Sequence, residues 1–211
     1  MPPTPTYDIE DQFPGIVAGV DEAGRGPWAG PVVAAAVVLD RAAAPEGLRD
    51  SKTLTEKRRR ALAADLWKTA RIGVGVASVD EIDQMNILAA SLLAMTRAVA
   101  NLPVRPAIAL VDGNIKPKLN CRAYTVIGGD AKSMSIAAAS IIAKTTRDRM
   151  MTELARDFPP YAWASNKGYG APAHRDALEK FGVTPHHRRS FAPIHNILYG
   201  ERAGALIPRA R

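Results

Sequence analysis

Apolar positions along the chain follow two rhythms. Short Val/Ala-rich runs bounded by Gly and Pro fill 15–20 (GIVAGV) and 31–40 (PVVAAAVVLD). Their length and boundaries predict buried strands. A third run, IGVGVASV, spans 72–79, and shorter ones at 107–111 and 124–127 stop at the turn signals VDGN and GGDAKS. Between these runs the spacing changes to threes and fours. LTEKRRRALAADLWKTA (54–70) predicts a helix with Thr55 as N-cap and Leu62, Leu66 and Trp67 on one face. Residues 80–102 predict one long helix with Ile82, Met85, Leu88, Leu92 and Met95 in a stripe. Residues 133–158 predict a helix that is apolar in its first half and charged in its second, and 173–181 a further helix. Strands followed by alternating helices and strands predict a single α/β layered domain with a helical C-terminal segment. No internal repeat is present, and no linker is long enough to divide the chain into separate domains. Residues 1–14 are expected to form a flexible extension, 15–200 the domain itself and 201–211 a tail.

Composition adds a compartment and a charge. The one cysteine, Cys121, excludes an internal disulfide. The Pro-rich, acidic start lacks the basic and apolar regions of a secretory signal, and no apolar stretch reaches the length of a membrane span. These features predict a cytoplasmic protein with no membrane partner. The net charge of +7 is uneven: residues 1–140 hold 16 Lys/Arg against 15 Asp/Glu, and residues 141–211 hold 12 against 6. A basic final third suits either a polyanion contact or a plain solvated surface.

The chemistry sits at strand ends. Asp21-Glu22, Asp112 and Asp130 each close an apolar run and are followed by glycine or a polar turn. Carboxylates at adjacent strand ends converge on one edge of a sheet, where α/β proteins place ligands. Such oxygen donors are hard ligands that suit Mg²⁺ or Mn²⁺ better than zinc. A lone Asp after a strand is more often a turn former or a helix cap. A regular strand also points adjacent residues to opposite faces, so Asp21 and Glu22 need a bulge, a strand end or a reach from the far side to share a site.

The stretch DEAGRGPWAGPVVAAAV strongly resembles the opening motif of the type 2 ribonucleases H, and of the bacterial ribonuclease HII branch in particular. The resemblance continues in order through DSKTLTEKRR (50–59), EIDQMNIL (81–88), VDGN (111–114), GDAKSMSIAAASIIAKTTRD (129–148), NKGYG (166–170) and HHRRSFAP (186–193). It implies a ribonuclease H-like fold, a mixed central sheet flanked by helices, with a helical C-terminal segment and residues 15–200 as the catalytic domain. It implies an endonuclease that cuts the RNA strand of RNA–DNA hybrids and single ribonucleotides embedded in duplex DNA. Two-metal hydrolysis with Mn²⁺ or Mg²⁺ would leave 5′-phosphate and 3′-hydroxyl ends. The carboxylates carried over as catalytic and metal-binding are Asp21, Glu22, Asp112 and Asp130. The Gly-Arg-Gly is Gly24-Arg25-Gly26 and the substrate tyrosine is Tyr169. Gly128 and Asn166 depart from the lysine and histidine common at those places. The short stretch before the first strand argues against the ribonuclease HIII branch, which carries an extra N-terminal domain.

The residues then take roles. Gly24 and Gly26, lacking a Cβ, let peptide groups approach a ribose 2′-hydroxyl, and Arg25 neutralises a phosphate. Tyr169 stacks on the sugar at an RNA–DNA junction. Ser51, Lys52, Lys132 and Ser133 read as phosphate contacts, with Ser133 also a helix cap. Arg188 and Arg189 belong to a basic patch that is DNA-facing or structural. Asp148 reads as the ion-pair partner of an arginine. A passive nucleic-acid binder would not need the acids, and a resolvase-like two-metal nuclease would not need GRG with KGYG. A monomer is expected.

Overall fold

The computed structural model describes residues 4–204. Five strands form one sheet: β1 (Val17–Ala23), β2 (Val32–Val38), β3 (Arg71–Ala77), β4 (Ile108–Asp112) and β5 (Arg122–Val126). Their order is β3-β2-β1-β4-β5. The first three run antiparallel, while β4 and β5 lie parallel to β1, so the sheet is mixed as expected. The helices are α1 (Glu56–Thr69), α2 (Val79–Met85), α3 (Ile87–Ala100), α4 (Met134–Asp157), α5 (Trp163–Asn166), α6 (Pro172–Phe181) and α7 (Ala192–Gly204).

The alanines of β2 explain how helices cover both faces. Ala34 and Ala36 meet Ala90, Ala94 and Ala98 of α3 on one side. Ala35 meets Ala138, Ala139 and Ile142 of α4 and Leu62 and Leu66 of α1 on the other. Alternate residues of a strand point to opposite faces, and small side chains let both helices lie close. A separate C-terminal core gathers Met151, Tyr161, Trp163, Leu178 and Ile194.

Three expectations need correction. The long helix over 80–102 is two helices, broken at Asn86, whose φ is +74°. The Asn86 side chain accepts from the N–H groups of Leu88 and Ala89 and starts α3 afresh. Trp67 is 54% exposed, because Leu62, Ala63 and Leu66 alone define the buried stripe of α1. The extension expected to be flexible is docked over its described residues. Thr6 exchanges backbone hydrogen bonds with Lys132 and Met134, and Glu10 is buried. Glu10 Oε1 accepts from Ser133 Oγ, Ser135 N and Ser135 Oγ at 2.7–2.9 Å. A carboxylate at the start of a helix answers its free N–H groups and its dipole. The tail lies outside the described residues from 205 onward. Among the described residues no helix is long and apolar enough to cross a membrane.

Candidate active site

The strand pairing brings the acids to one edge. Val20 of β1 pairs with Val111 of β4, so the next residue on each, Asp21 and Asp112, end side by side. Gly129 N–H donates to Asp112 Oδ1 at 2.7 Å, which ties the 3₁₀ turn Gly129–Ala131, and with it Asp130, to the end of β4. Asp21 is 6% exposed, and its Oδ1 accepts the Glu22 N–H at 2.8 Å.

Charge at this edge is under-compensated. Burial pushes the Asp21 carboxyl well above its usual range, and Glu22, Asp112 and Asp130 push the same way. Glu22 is raised by burial and by Asp112, against the pull of Arg25, whose Nη1 stands 3.3 Å from Glu22 Oε1. Asp130 is raised by burial, Asp50 and Asp112, against Lys52, whose Nζ is 3.7 Å from Asp130 Oδ2. Lys52 itself is lowered by burial, but Asp50, Asp130, Asp21 and Asp112 outweigh that and raise it. Among the described residues no three acids already surround a common point. Each is turned to a local donor instead: Asp21 to Glu22 N–H, Glu22 to Arg25, Asp112 to Gly129 N–H and Asp130 to Lys52.

Neither a bulge nor an early strand end brings Asp21 and Glu22 together, since β1 pairs with β2 in unbroken register through Ala23. The pairing with β4, however, stops at Val20. Beyond that point β1 has a free edge, and Glu22 comes within electrostatic reach of Asp112 from the other face.

The Gly24–Gly26 turn lies beside this edge, against the Tyr169 loop. Trp28 N–H donates to Gly168 O at 2.8 Å, and among the described residues a Cβ on Gly26 would meet only Tyr169 Cε1, at 3.6 Å. Gly26 is exposed and Tyr169 is 47% exposed, so both can meet a ligand. Gly24 is a different case. Its φ is +99°, and a Cβ there would overlap Arg147 Nε and sit 2.9 Å from Pro31 O. Its missing side chain makes room for Arg147 rather than for a ligand. Asn166 holds this loop by donating to Tyr161 O and accepting from Gly168 N–H.

Of the other candidates, Lys52, Lys132 and Arg189 are exposed, with Lys132 Nζ donating to Ile127 O at 2.7 Å. Arg189 N–H donates to Asp83 Oδ2, which leaves its side chain on the surface. Three phosphate contacts need correction. Ser133 is fully buried and caps α4 through Ile136 N–H. Ser51 is buried, and its N–H donates to Ser140 Oγ. Arg188 is 0% exposed and donates only to backbone carbonyls, so it has no surface to offer a phosphate. Asp148 pairs with Lys144, not with an arginine. Sequence patterning missed Arg147, His174 and His187, which are buried next to the turn and the loop. Only the HHRR run hinted at them, because buried polar residues leave no periodic mark in a sequence.

Comparisons with known proteins agree with this geometry. The family model described as Ribonuclease HII matches residues 18–194. A ribonuclease HII of Paracoccus denitrificans is 56% identical over 202 residues, 93% of this chain and 96% of the relative. One from Ruegeria sp. (strain TM1040) is 60% identical over 186 residues, 88% of this chain and 81% of the relative. Among solved structures, the ribonuclease H2 of Pyrococcus horikoshii superposes with a TM-score of 0.76 at 30% identity, covering 89% of this chain and 99% of that one. The ribonuclease HII of Archaeoglobus fulgidus, solved in complex with PCNA, gives 0.70 at 28% identity over 82% and 93%. With the family match running from the first strand into the last helix, over a mixed sheet of the ribonuclease H-like kind, this chain belongs to the ribonuclease HII family, endonucleases that cut the RNA strand of RNA–DNA hybrids.

Proposed function

We propose that Asp21, Glu22, Asp112 and Asp130 hold two divalent ions, Mn²⁺ or Mg²⁺. At this edge the chain cuts RNA in hybrids and single ribonucleotides embedded in duplex DNA. The observation that carries this reading is buried Asp21, raised by burial and by three further acids. Oxygen donors alone, two of them nearly buried and answered only by Lys52 and Arg25 among the described side chains, suit hard divalent cations. Bound there, a pair of such ions supplies a polarised water, a neutralised phosphate and a stabilised leaving oxygen in an in-line displacement. The chain supplies the rest. Asp21, on the central strand, would hold the ions together with Glu22, Asp112 and Asp130. Gly26 permits close backbone approach to a 2′-hydroxyl, and Arg25 meets an adjacent phosphate. Tyr169 stacks on the sugar that follows the junction. Lys52, Lys132 and Arg189 grip the phosphate backbone without reading sequence.

The direct test is a DNA duplex carrying one ribonucleotide, incubated with Mn²⁺, with Mg²⁺ and with chelator. Cleavage with either ion, leaving 5′-phosphate and 3′-hydroxyl ends, is the expected result. An intact duplex under both ions removes the assignment.

Two variants sort the contacts. Tyr169→Ala is expected to slow cleavage at a lone ribonucleotide more than within a continuous hybrid, because a DNA sugar follows the junction only in the first. Equal losses on both substrates would give the ring a general role. The double change Lys52→Ala and Arg189→Ala is expected to weaken binding to plain DNA and hybrid alike. It should also flatten the slope of log K against log salt by about one for each phosphate no longer neutralised. A loss confined to the hybrid would mean that these side chains sense the ribose.

A further inference from the structure

Behind the Gly24–Gly26 turn, Arg188 and Arg147 are 0% and 1% exposed. Burial lowers both guanidiniums, Arg188 to about 9 and Arg147 to about 10. Both turn to backbone carbonyls. Arg188 Nη2 donates to Gly24 O at 2.6 Å, Nη1 to Arg25 O at 2.9 Å and Nε to Gly30 O at 2.9 Å. Arg147 bonds Pro31 O, Ala29 O and Lys167 O at 3.0–3.1 Å.

The carbonyls of Gly24 and Arg25 therefore point inward. In a planar trans peptide the N–H of the next residue points the opposite way. The N–H groups of Arg25 and Gly26 are thus turned outward, and among the described residues neither donates within the chain. By holding these carbonyls, Arg188 turns the Arg25 and Gly26 N–H groups outward as two unpaired donors on the surface beside Tyr169.

The preceding residue acts on the other side of that surface. Thr184 N–H donates to His187 Nδ1 at 2.9 Å, which leaves the proton on His187 Nε2. His187 Nε2 stands 3.0 Å from His174 Nε2, which also accepts from Trp163 Nε1. His174 must then carry its proton on Nδ1, 2.9 Å from Tyr169 O. A backbone donor at one end and a carbonyl at the other permit one proton arrangement, and the chain ends on the tyrosine. Burial keeps both imidazoles neutral, with His187 lowered to about 4.

We infer that His187 and Arg188 form a positioning pair for ribose selection: Arg188 orients the Gly24–Gly26 peptides, and His187, through His174, anchors Tyr169 at a fixed distance from them. This rests on the reading above that the turn and Tyr169 sense the ribonucleotide. Misplacement by an ångström costs about a hundredfold in a positioned reaction, so selection needs both sides held from one support.

The test uses Arg188→Lys, His187→Asn and His187→Gln in the full chain, each assayed well below its own melting temperature. An Asn amide can keep the acceptor for Thr184 but drops the donor to His174, while a Gln amide can restore a donor at that reach. Turnover on the single-ribonucleotide duplex is expected to fall about tenfold or more for Arg188→Lys and His187→Asn, with partial recovery in His187→Gln. Binding to an all-DNA duplex should stay within about twofold of the parent. If Arg188→Lys does not fold, the two His187 variants decide. Parent-like turnover in His187→Asn overturns the inference, as does a loss of all-DNA binding that matches the loss of turnover. Gly26→Ala and Tyr169→Ala run alongside. If both retain full turnover on the same duplex, the ribose-reading assignment itself has failed, whatever the positioning pair does.

Discussion

Asp21→Asn is expected to lose cleavage by roughly a thousandfold or more and, in the metal-free protein, to melt higher than the parent. The catalytic loss follows from removing one of the carboxylate charges that would hold the proposed ions, worth several kcal/mol of transition-state stabilisation. The gain in stability follows from the same position. Asp21 is buried against Glu22, Asp112 and Asp130, which raise its folded-state pKa above the unfolded value. Between those two values the native state holds a proton that the unfolded chain has released, so this group's contribution to stability falls as pH rises through the window. The gap in melting temperature between variant and parent should therefore widen from about pH 4 upward, until it levels off above the raised value. Comparing the two proteins at each pH cancels the opposite slope of buried His174 and His187, which are lowered and present in both. Mn²⁺ or Mg²⁺ should raise the melting temperature of the parent and lose most of that effect in the variant. Unchanged turnover in Asp21→Asn would remove the two-ion assignment, and a lower metal-free melting temperature would remove the electrostatic argument.

Gly24→Ala and Gly26→Ala should fail in different ways. At Gly24 the new methyl would overlap Arg147 Nε and lie 2.9 Å from Pro31 O, on a backbone with φ of +99°. Overpacking and a strained φ together are expected to cost about 3 kcal/mol, near 10 °C in a protein of this size. Activity on every substrate should fall with the fold. At Gly26 the nearest atom is Tyr169 Cε1 at 3.6 Å, an ordinary contact. That variant should keep its melting temperature within a few degrees and its binding to plain DNA, yet lose turnover at a ribonucleotide, because the methyl occupies the surface a sugar must approach. Thermal melts and paired cleavage assays separate the two. Equal melting temperatures for both variants would contradict the packing under Arg147.

The GRG motif shows where sequence and structure divide. The two glycines stand a single residue apart and look equivalent as letters. The structure gives one to a buried guanidinium and the other to the surface. The same division separates Arg188 from Arg189: adjacent basic residues read as one patch, yet one is fully buried and its neighbour is exposed. Charge in a sequence does not say which face of the chain turns inward. Burial of an arginine here depends on carbonyls of Gly24, Arg25, Gly30 and Pro31, more than 150 residues away.

Local physics was enough for the strands, for Thr55 as the cap of α1 and for the order of alternating elements, because period and capping are properties of neighbours along the chain. The candidate carboxylates were legible as acids that follow apolar runs, but only Asp112 ends its strand: Asp21 and Glu22 lie inside β1, and Asp130 lies in the 3₁₀ turn after β5. The break at Asn86 was not legible from period alone, because the apolar stripe runs through it; its signal is the capping chemistry of Asn, a favoured N-cap that tolerates positive φ. The docking of Glu10 onto the start of α4 joins residues 125 apart, beyond any window of periodicity. The strands, most helices, their order and the acids beside the apolar runs thus follow from neighbouring letters. Which carboxylates share an edge, which glycine faces a ligand and which arginine lies inside follow from the folded chain alone, because each depends on a register or contact between distant segments.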